Sequence, residues 1–422
     1  LIATLSGPNE RASGNLRQPN QLATLMVWGL IAATSLLQRR PLLWFAVCAT
    51  LTLTLLASGS RAGIVSLAVV ALTGTYIRLR ASSTIDNPLR RIRHPRPWLV
   101  ATLVALLLVL LAPAAQHAFS RDTADASLAQ RVALWQQTAG LVMQHPWTGV
   151  GWSQLNFAWT LTPFANRAPD VFDHAHSLPL HLAVELGIPI TVCLTALVVT
   201  ALWPRRAWRV APASMARRRA GVATLLLLGI GLHSLFEYPL WFSYFLLPAA
   251  FVLATLVRDL TDGPPAPAPS AAGAARTAAS PPGRLVAAAA AISLVATGWG
   301  VREYGKASAI HFAGNDGVAR NEAVAAARAS PLYGQYGDYA AIMLAGDRAP
   351  LDWFARPVRN VLDERLLTAW ARALERGGQH ERAAWVVARA REFPPDAAFA
   401  GLPLVTAPLN PASMPRSATD FR

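Results

Sequence analysis

The sequence predicts an all-α, polytopic membrane protein of about eight helical spans, with an outer-side loop that carries an amphipathic helix and a small helical C-terminal region. Three observations predict this. The 422-residue chain is 53% hydrophobic and only 14% charged, where a soluble domain carries about 25% charged residues. Apolar runs of near-bilayer length recur along it, and roughly 20 apolar residues suffice to cross a hydrocarbon core. Its net charge of +15 is gathered in short segments between those runs. That pattern sets membrane topology and is not the continuous basic face of a nucleic-acid binder, so no nucleic-acid partner is expected.

The predicted spans are 22–37, 41–57, 62–77, 98–113, 178–203, 221–237, 240–257 and 284–300. Arg78, Arg80, Arg90, Arg91, Arg93 and Arg96 in the 78–97 loop face a single acid, Asp86, and the 204–220 loop holds six arginines and no acid. Both loops are assigned to the inner side. Segment 114–177 balances its charges, with Asp122, Asp125, Asp170 and Asp173 against Arg121, Arg131 and Arg167, and is assigned to the outer side. The pattern divides the chain into a membrane core over 1–260, a Pro/Ala-rich linker over 261–283, a last span over 284–300 and a soluble helical region over 301–422. Cys48 and Cys193 both fall inside apolar runs, which excludes a disulfide scaffold and a zinc site built on cysteine. No signal-peptide pattern opens the chain.

Within the outer loop, Ser127 and Gln130 have capping-box spacing, and Leu128, Val132, Trp135, Ala139 and Val142 recur at helical intervals until Pro146. An amphipathic helix follows from this, with Gly149 and Gly151 in the turn after it. Arg131 lies in its first turns, and Arg61 lies in the tight turn "SGSRAG" between two spans. Each has two readings: an arginine reaching lipid phosphates, or a cation positioned for an anionic headgroup. In the 363–395 segment, Leu366, Trp370 and Leu374 oppose Ala384, Val387 and Ala388 across a Gly-Gly turn, a single tetratricopeptide-like hairpin and not an array.

The stretch "FDHAHSLPLHLAVELGIP" places Asp173, His174 and His176 at the threshold of an apolar run, with Asp173 a candidate N-cap. His174 and His176 read either as interfacial residues at a helix start or as a catalytic histidine able to accept a hydroxyl proton near neutral pH. A metal set of Asp173, His174 and His176 is disfavoured, because residues two apart on a helix point to opposite sides. Glu185, deeper in the run, needs a partner, and His181 four residues earlier is the expected one. A further outer element, "HSLFEYPLWFSYF", brings His233 and Glu237 between two spans.

"GNLRQPNQLAT", "SGSRAG", "RVALWQQTAGLVMQHPWTGVGW", "HAHSLPLHLAVELGIP" and "HSLFEYPL" together resemble successive landmarks of the O-antigen ligase and polymerase superfamily. Within it the pattern is most similar to bacterial protein O-oligosaccharyltransferases of the pilin-glycosylating type, and the tail after 301 to a virulence-factor membrane-bound polymerase C-terminal region. The family's histidine motif is matched by His176, Ser177, nine residues and Gly187, while Ile190 departs from its closing position. Members of the family carry further spans before "GNLRQPN", so the chain is expected to lack its N-terminal part.

The resemblance implies an inner-membrane enzyme working at the periplasmic face on an oligosaccharide carried by undecaprenyl diphosphate. It implies Arg61 and Arg131 as the diphosphate clamp and His176 as general base. Gln18, Asn20, His174, Glu185 and Glu237 are the expected sugar-binding or supporting residues. Neither cofactor nor metal is expected. The implied partners are membrane lipids and an acceptor, either a pilin-like protein or lipid A core. A lipid-glycan transporter is the competing class, but it would string polar groups through several spans, and here they collect at one face.

Overall fold

A computed structural model describes residues 12–16, 18–82, 103, 123–202, 215–261, 281–314, 316–393 and 410. Among these residues all regular structure is helical. The predicted 98–113 span, apart from residue 103, and the linker up to residue 280 lie outside them, as do most of the two basic loops. The chain forms two compact units, each assembled from separated segments.

The first unit comprises residues 1–129, 176–182 and 189–264. Its helices are α1 (Pro19–Leu36), α2 (Pro41–Ala57), α3 (Arg61–Ser82), α8 (Met215–Ser234) and α9 (Ser243–Thr261), with α6 and α7 described below. The predicted spans 22–37, 41–57, 62–77, 221–237 and 240–257 thus each coincide with a helix, though the ends move. Helix α3 runs on through Arg78 and Arg80, and α8 begins before Arg217, Arg218 and Arg219. Basic residues assigned to loops therefore extend helices. Of the described helices, one is long and apolar enough to cross a bilayer: α3 over Arg61–Leu79, with mean hydropathy 1.6. Pro41–Ala57, Ile188–Thr200 and Ser243–Arg258 are shorter apolar helical stretches, against about eight spans predicted.

Helices α1, α3 and α8 share a core of Leu22, Ala23, Val27, Ile31, Ile64, Leu67, Val70 and Leu225. Gly63 makes the α1–α3 approach possible, since a Cβ there would lie 2.5 Å from that of Ala23. Trp28 joins α1 to α8 and α9, donating to the Leu226 carbonyl at 2.9 Å and meeting Phe245 edge-on. Helix α2 buries little and turns Leu42, Phe45 and Leu53 outward, the surface a lipid-facing helix presents.

The predicted 178–203 span is not one helix. It breaks at Gly187 into α6 (Leu178–Leu186) and α7 (Ile188–Leu202). Gly187 has φ +84° and Gly149 φ +67°, a region that disfavours a Cβ. A Cβ on Gly187 would lie 2.3 Å from the Trp147 carbonyl oxygen, and one on Gly149 2.4 Å from the Glu185 backbone. The loop over residues 145–154 lies on the break, with backbone bonds from Val150 to Val184, Gly151 to Glu185 and Ile188 to Pro146. Gly187→Ala should therefore cost more than about 2 kcal/mol, combining left-handed strain with backbone collision. A thermal-unfolding curve indistinguishable from the parent would disprove that.

The second unit comprises residues 130–175, 183–188 and 265–422. The loop and the tail, assigned to separate domains by sequence pattern, form one body here. Helix α4 (Thr123–Gln144) ends before Pro146 as expected. It starts earlier than the capping box implies, which leaves Ser127 inside it. Its buried stripe is Leu134, Gln137, Thr138, Leu141 and Val142, while Val132 is 41% exposed. The stripe is rotated from the predicted one because polar Gln137 and Thr138 are packed inward: the Trp159 indole donates to Gln137 Oε1 at 2.9 Å, and Thr138 bonds within its own helix.

Short helix α5 (Leu155–Leu161) follows, and α10 (Pro281–Phe312) contains the predicted 284–300 span. The tail then forms α11 (Gly317–Arg328), α12 (Gly334–Ala345), α13 (Pro357–Asn360), α14 (Glu364–Arg376) and α15 (His380–Ala390). The predicted hairpin is α14–α15, with Asp363 capping α14 and Leu366, Trp370 and Leu374 fully buried. A second hairpin, α11–α12, precedes it.

Arg167 ties loop to tail. Its side chain is wholly buried and pairs with Glu392 at 2.8 Å. It donates to the carbonyls of Trp159, Thr160 and Thr162, and lies against the rings of Trp159, Phe164 and Phe393. Burial pushes the guanidinium pKa down and Glu392 opposes this, yet a guanidinium remains charged throughout. Asn156 makes a second tie, accepting from the Leu362 N–H at 2.9 Å and donating to the Phe172 carbonyl.

Candidate active site

In the first unit, three chain breaks between helices bring their polar residues together. Gln18 caps α1, accepting from the Gln21 N–H at 2.6 Å, and Pro19 begins the helix, where its missing N–H costs nothing. Asn20 follows in the first turn. Ser60 caps α3 by accepting from the Gly63 N–H at 3.0 Å, so Arg61 is the first residue of α3. Glu237 lies just past α8, its N–H bonded to the His233 carbonyl, and a short 3-10 turn follows at Pro239–Trp241.

These residues form a chain of hydrogen bonds. Ser60 Oγ donates to Asn20 Oδ1 at 2.7 Å, and Asn20 Nδ2 donates to Glu237 Oε1 at 2.8 Å. Glu237 Oε2 then meets His176 Nδ1 at 2.8 Å. Glu237 is 5% exposed, and its Oε1 accepts from Asn20 while Oε2 faces the imidazole. With Glu237 ionised, that contact is a donation from Nδ1 that leaves Nε2 able to accept a proton. Tyr238 meets the His176 ring edge-on at 5.0 Å, fixing the imidazole plane.

His176 has φ +48°, a left-handed conformation uncommon outside glycine. Such strain persists where surrounding contacts over-determine it, and it clusters at functional sites. His176 thus stands before α6, which begins at Leu178, and Asp173 is not its cap, contrary to expectation. A recess of about 110 Å³ adjoins Glu237, lined by Gln18, Gln21, His233 and Tyr238 among others. It is too small for an oligosaccharide. Thr24 Oγ1 and His233 Nδ1 lie 2.6 Å apart beside it.

The remaining candidates lie in the second unit. Arg131 is half-buried on α4, on the stripe of Leu134 and Thr138. One turn on, the Trp135 indole donates to the carbonyl of Ala175 at 2.9 Å, the residue that precedes His176 in the chain. His174 Nδ1 lies 2.8 Å from Asp173 Oδ1. Glu185 accepts from the N–H groups of Ser153 and Leu155 at 2.9 and 3.2 Å. A carboxylate there satisfies donors at the start of α5, a structural task that the sequence reading did not anticipate. The ring of His181, its expected partner, packs edge-on against Trp241.

The structure thus joins Asn20, His176 and Glu237 directly and sets Gln18 and Arg61 at the adjoining helix starts. Ser60 was missed, although a serine directly before a helical run is a legible cap signal. No group of three or more His, Cys, Asp or Glu side chains able to hold a metal occurs among the described residues.

Comparison with known proteins accounts for nearly the whole described chain. Residues 46–195 match the O-antigen ligase family, residues 221–403 the virulence factor membrane-bound polymerase C-terminal family, and residues 12–37 the protein glycosylation ligase family. A general O-oligosaccharyltransferase of Acinetobacter baylyi is 31% identical over 137 residues, covering 32% of this chain and 22% of that protein. A ComP-specific O-oligosaccharyltransferase of the same organism is 25% identical over 256 residues, covering 58% and 44%. The chain spans less than half the length of these curated relatives. No solved structure matches it. Successive stretches between residues 12 and 403 thus match the O-antigen ligase, membrane-bound polymerase and protein glycosylation ligase families, and the chain is similar in this combination to the O-oligosaccharyltransferases named above.

Proposed function

We propose that this protein transfers an oligosaccharide from undecaprenyl diphosphate to a hydroxyl of a periplasmic protein, with His176 as general base and Arg61 and Arg131 as the diphosphate clamp. The observation that carries the reading is the His176–Glu237 pair at 2.8 Å. A buried carboxylate on Nδ1 orients the ring, fixes the tautomer and stabilises the imidazolium that forms on proton transfer.

The step balances without a redox partner. The acceptor oxygen bonds to C1 of the first sugar as the bond from C1 to the phosphate oxygen breaks. The hydroxyl proton passes to His176 Nε2, and the electron pair leaves with the lipid diphosphate. Guanidinium groups oppose the charge that grows there. Arg61 supports this role by standing next to Ser60, at the end of the hydrogen-bonded chain from His176. For Arg131, half-buried on α4, the same role rests on the family resemblance. Attack in one displacement inverts the anomeric centre, and an NMR assignment showing retention would remove that mechanism. The O-antigen ligase match over 46–195 favours a second acceptor class, a lipid A core or a growing glycan.

The test is transfer in vitro, using purified protein in nanodiscs, lipid-linked glycan, and either pilin or lipid A core as acceptor. His176→Ala and Arg131→Ala should each lose at least about 100-fold in rate. Arg131→Lys should recover little if the forked guanidinium matters. Turnover near that of the parent for His176→Ala would reject the base assignment, and transfer only to lipid A core would reject the protein acceptor.

A further inference from the structure

The second unit carries an aromatic surface that none of the roles above uses. Tyr304 lies on α10, Tyr333 directly before α12 and Tyr336 within it. Tyr304 and Tyr333 have ring centroids 5.8 Å apart at 74°, and Tyr333 and Tyr336 are 6.3 Å apart at 35°. Tyr304 is 59% exposed and Tyr336 46%.

The surface is built rigidly from behind. Helix α12 turns Gly334 and Gly337 toward α11 and Arg356: a Cβ on Gly337 would lie 2.3 Å from the Arg328 backbone, and one on Gly334 2.1 Å from the Arg356 guanidinium. Buried Asp338, one residue on, is held by Arg328 at 2.8 Å and Arg356 at 2.5 Å. With that face locked, Tyr333 and Tyr336 are left on the open one. The tyrosines are therefore not loose surface residues. Burial, and after it the negative charge of Asp173, raise the Tyr336 hydroxyl pKa.

We propose that Tyr304, Tyr333 and Tyr336 form a stacking platform for pyranose rings of the glycan carried by the lipid donor. This rests on the glycan-transfer reading above. A pyranose presents a face of C–H bonds, which packs on an aromatic ring. Depth along α10 fits this occupant. The predicted span ends at residue 300, and Tyr304 follows four residues later, about 6 Å farther along the helix. That is the depth of the headgroup layer, where the sugars next to a membrane-held diphosphate stand.

The test is calorimetric titration of the protein in nanodiscs with the oligosaccharide released from its own lipid donor by mild acid. Tyr304→Ala and Tyr336→Ala should each weaken binding about tenfold, Tyr336→Phe should retain it, and Tyr76→Ala, removing an exposed tyrosine of the other unit, should leave it unchanged. Parent-like binding by both platform variants overturns the proposal. So does absence of glycan binding to the parent, or weakened binding of acceptor protein in place of glycan. His176→Ala separates the two claims. It should bind the free glycan normally while losing transfer, so failed transfer with tyrosine-dependent binding rejects the catalytic reading and leaves the platform standing.

Discussion

Glu237→Gln is expected to lower the transfer rate on the order of 10³-fold while the helical core stays folded, because the substitution inverts the hydrogen bond on which the base depends. In the parent, Glu237 accepts from Asn20 through Oε1, and on the proposed mechanism its ionised Oε2 accepts from His176 Nδ1 at 2.8 Å. A glutamine can still accept from Asn20, so the local packing survives. Its amide NH₂ then faces His176 Nδ1 as a donor, forcing the imidazole into the tautomer whose proton sits on Nε2. That nitrogen can no longer accept one from a hydroxyl. Combining the change with His176→Ala should cost no more than His176→Ala alone, since residues acting as a unit are not additive. Multiplying losses in the double variant, or near-parental turnover in the single one, would show that the carboxylate does not work through the histidine.

Arg167→Met should destabilise the second unit by about 3–5 kcal/mol, the cost of leaving several buried carbonyls without their donor. The carbonyls of Trp159, Thr160 and Thr162 lose this donor at once, while Glu392 keeps Arg389 and the Phe164 N–H. The methionine fills the space between Trp159, Phe164 and Phe393, so the loss is electrostatic more than steric. For a body of this size the unfolding midpoint should fall on the order of 10 °C. Limited proteolysis should find the 162–167 loop and the chain after α15 cleaved together, since one side chain holds both. Removing Glu392 as well should recover little, since that leaves the buried Arg389 without the carboxylate it pairs with at 2.8 Å. An unchanged midpoint for Arg167→Met would show that the pair contributes nothing.

Much of the site was legible because its residues sit where helices begin and end, and those positions carry local rules. Gln18, Pro19 and Asn20 open α1, Ser60 and Arg61 open α3, and Glu237 follows α8. Titratable groups at the ends of apolar runs draw notice on hydropathy grounds alone. Glu185 drew the same notice for the same reason, and nothing local distinguished it. Its place at the start of α5 depends on residues 30 and 32 positions away, a long-range pairing that neither periodicity nor capping rules encode. The break at Gly187 was hidden in a similar way. An apolar run containing one glycine reads as a continuous span, and only the loop lying against it shows why a Cβ is excluded.

The sequence by itself determined that the chain is helical, where most helices lie, and which polar side chains stand at their ends, because propensity, capping and hydropathy act within a few residues. Only the tertiary structure decided which of those ends meet. Asn20, His176 and Glu237 are separated by 217 positions at most, yet one carboxylate joins all three. Arg167, counted in the sequence as one charge among many, became the anchor between loop and tail. Hydrogen bonds and ion pairs depend on distance in space, and distance in space is set by how helices pack, a sum over many weak apolar contacts that no single stretch of residues contains.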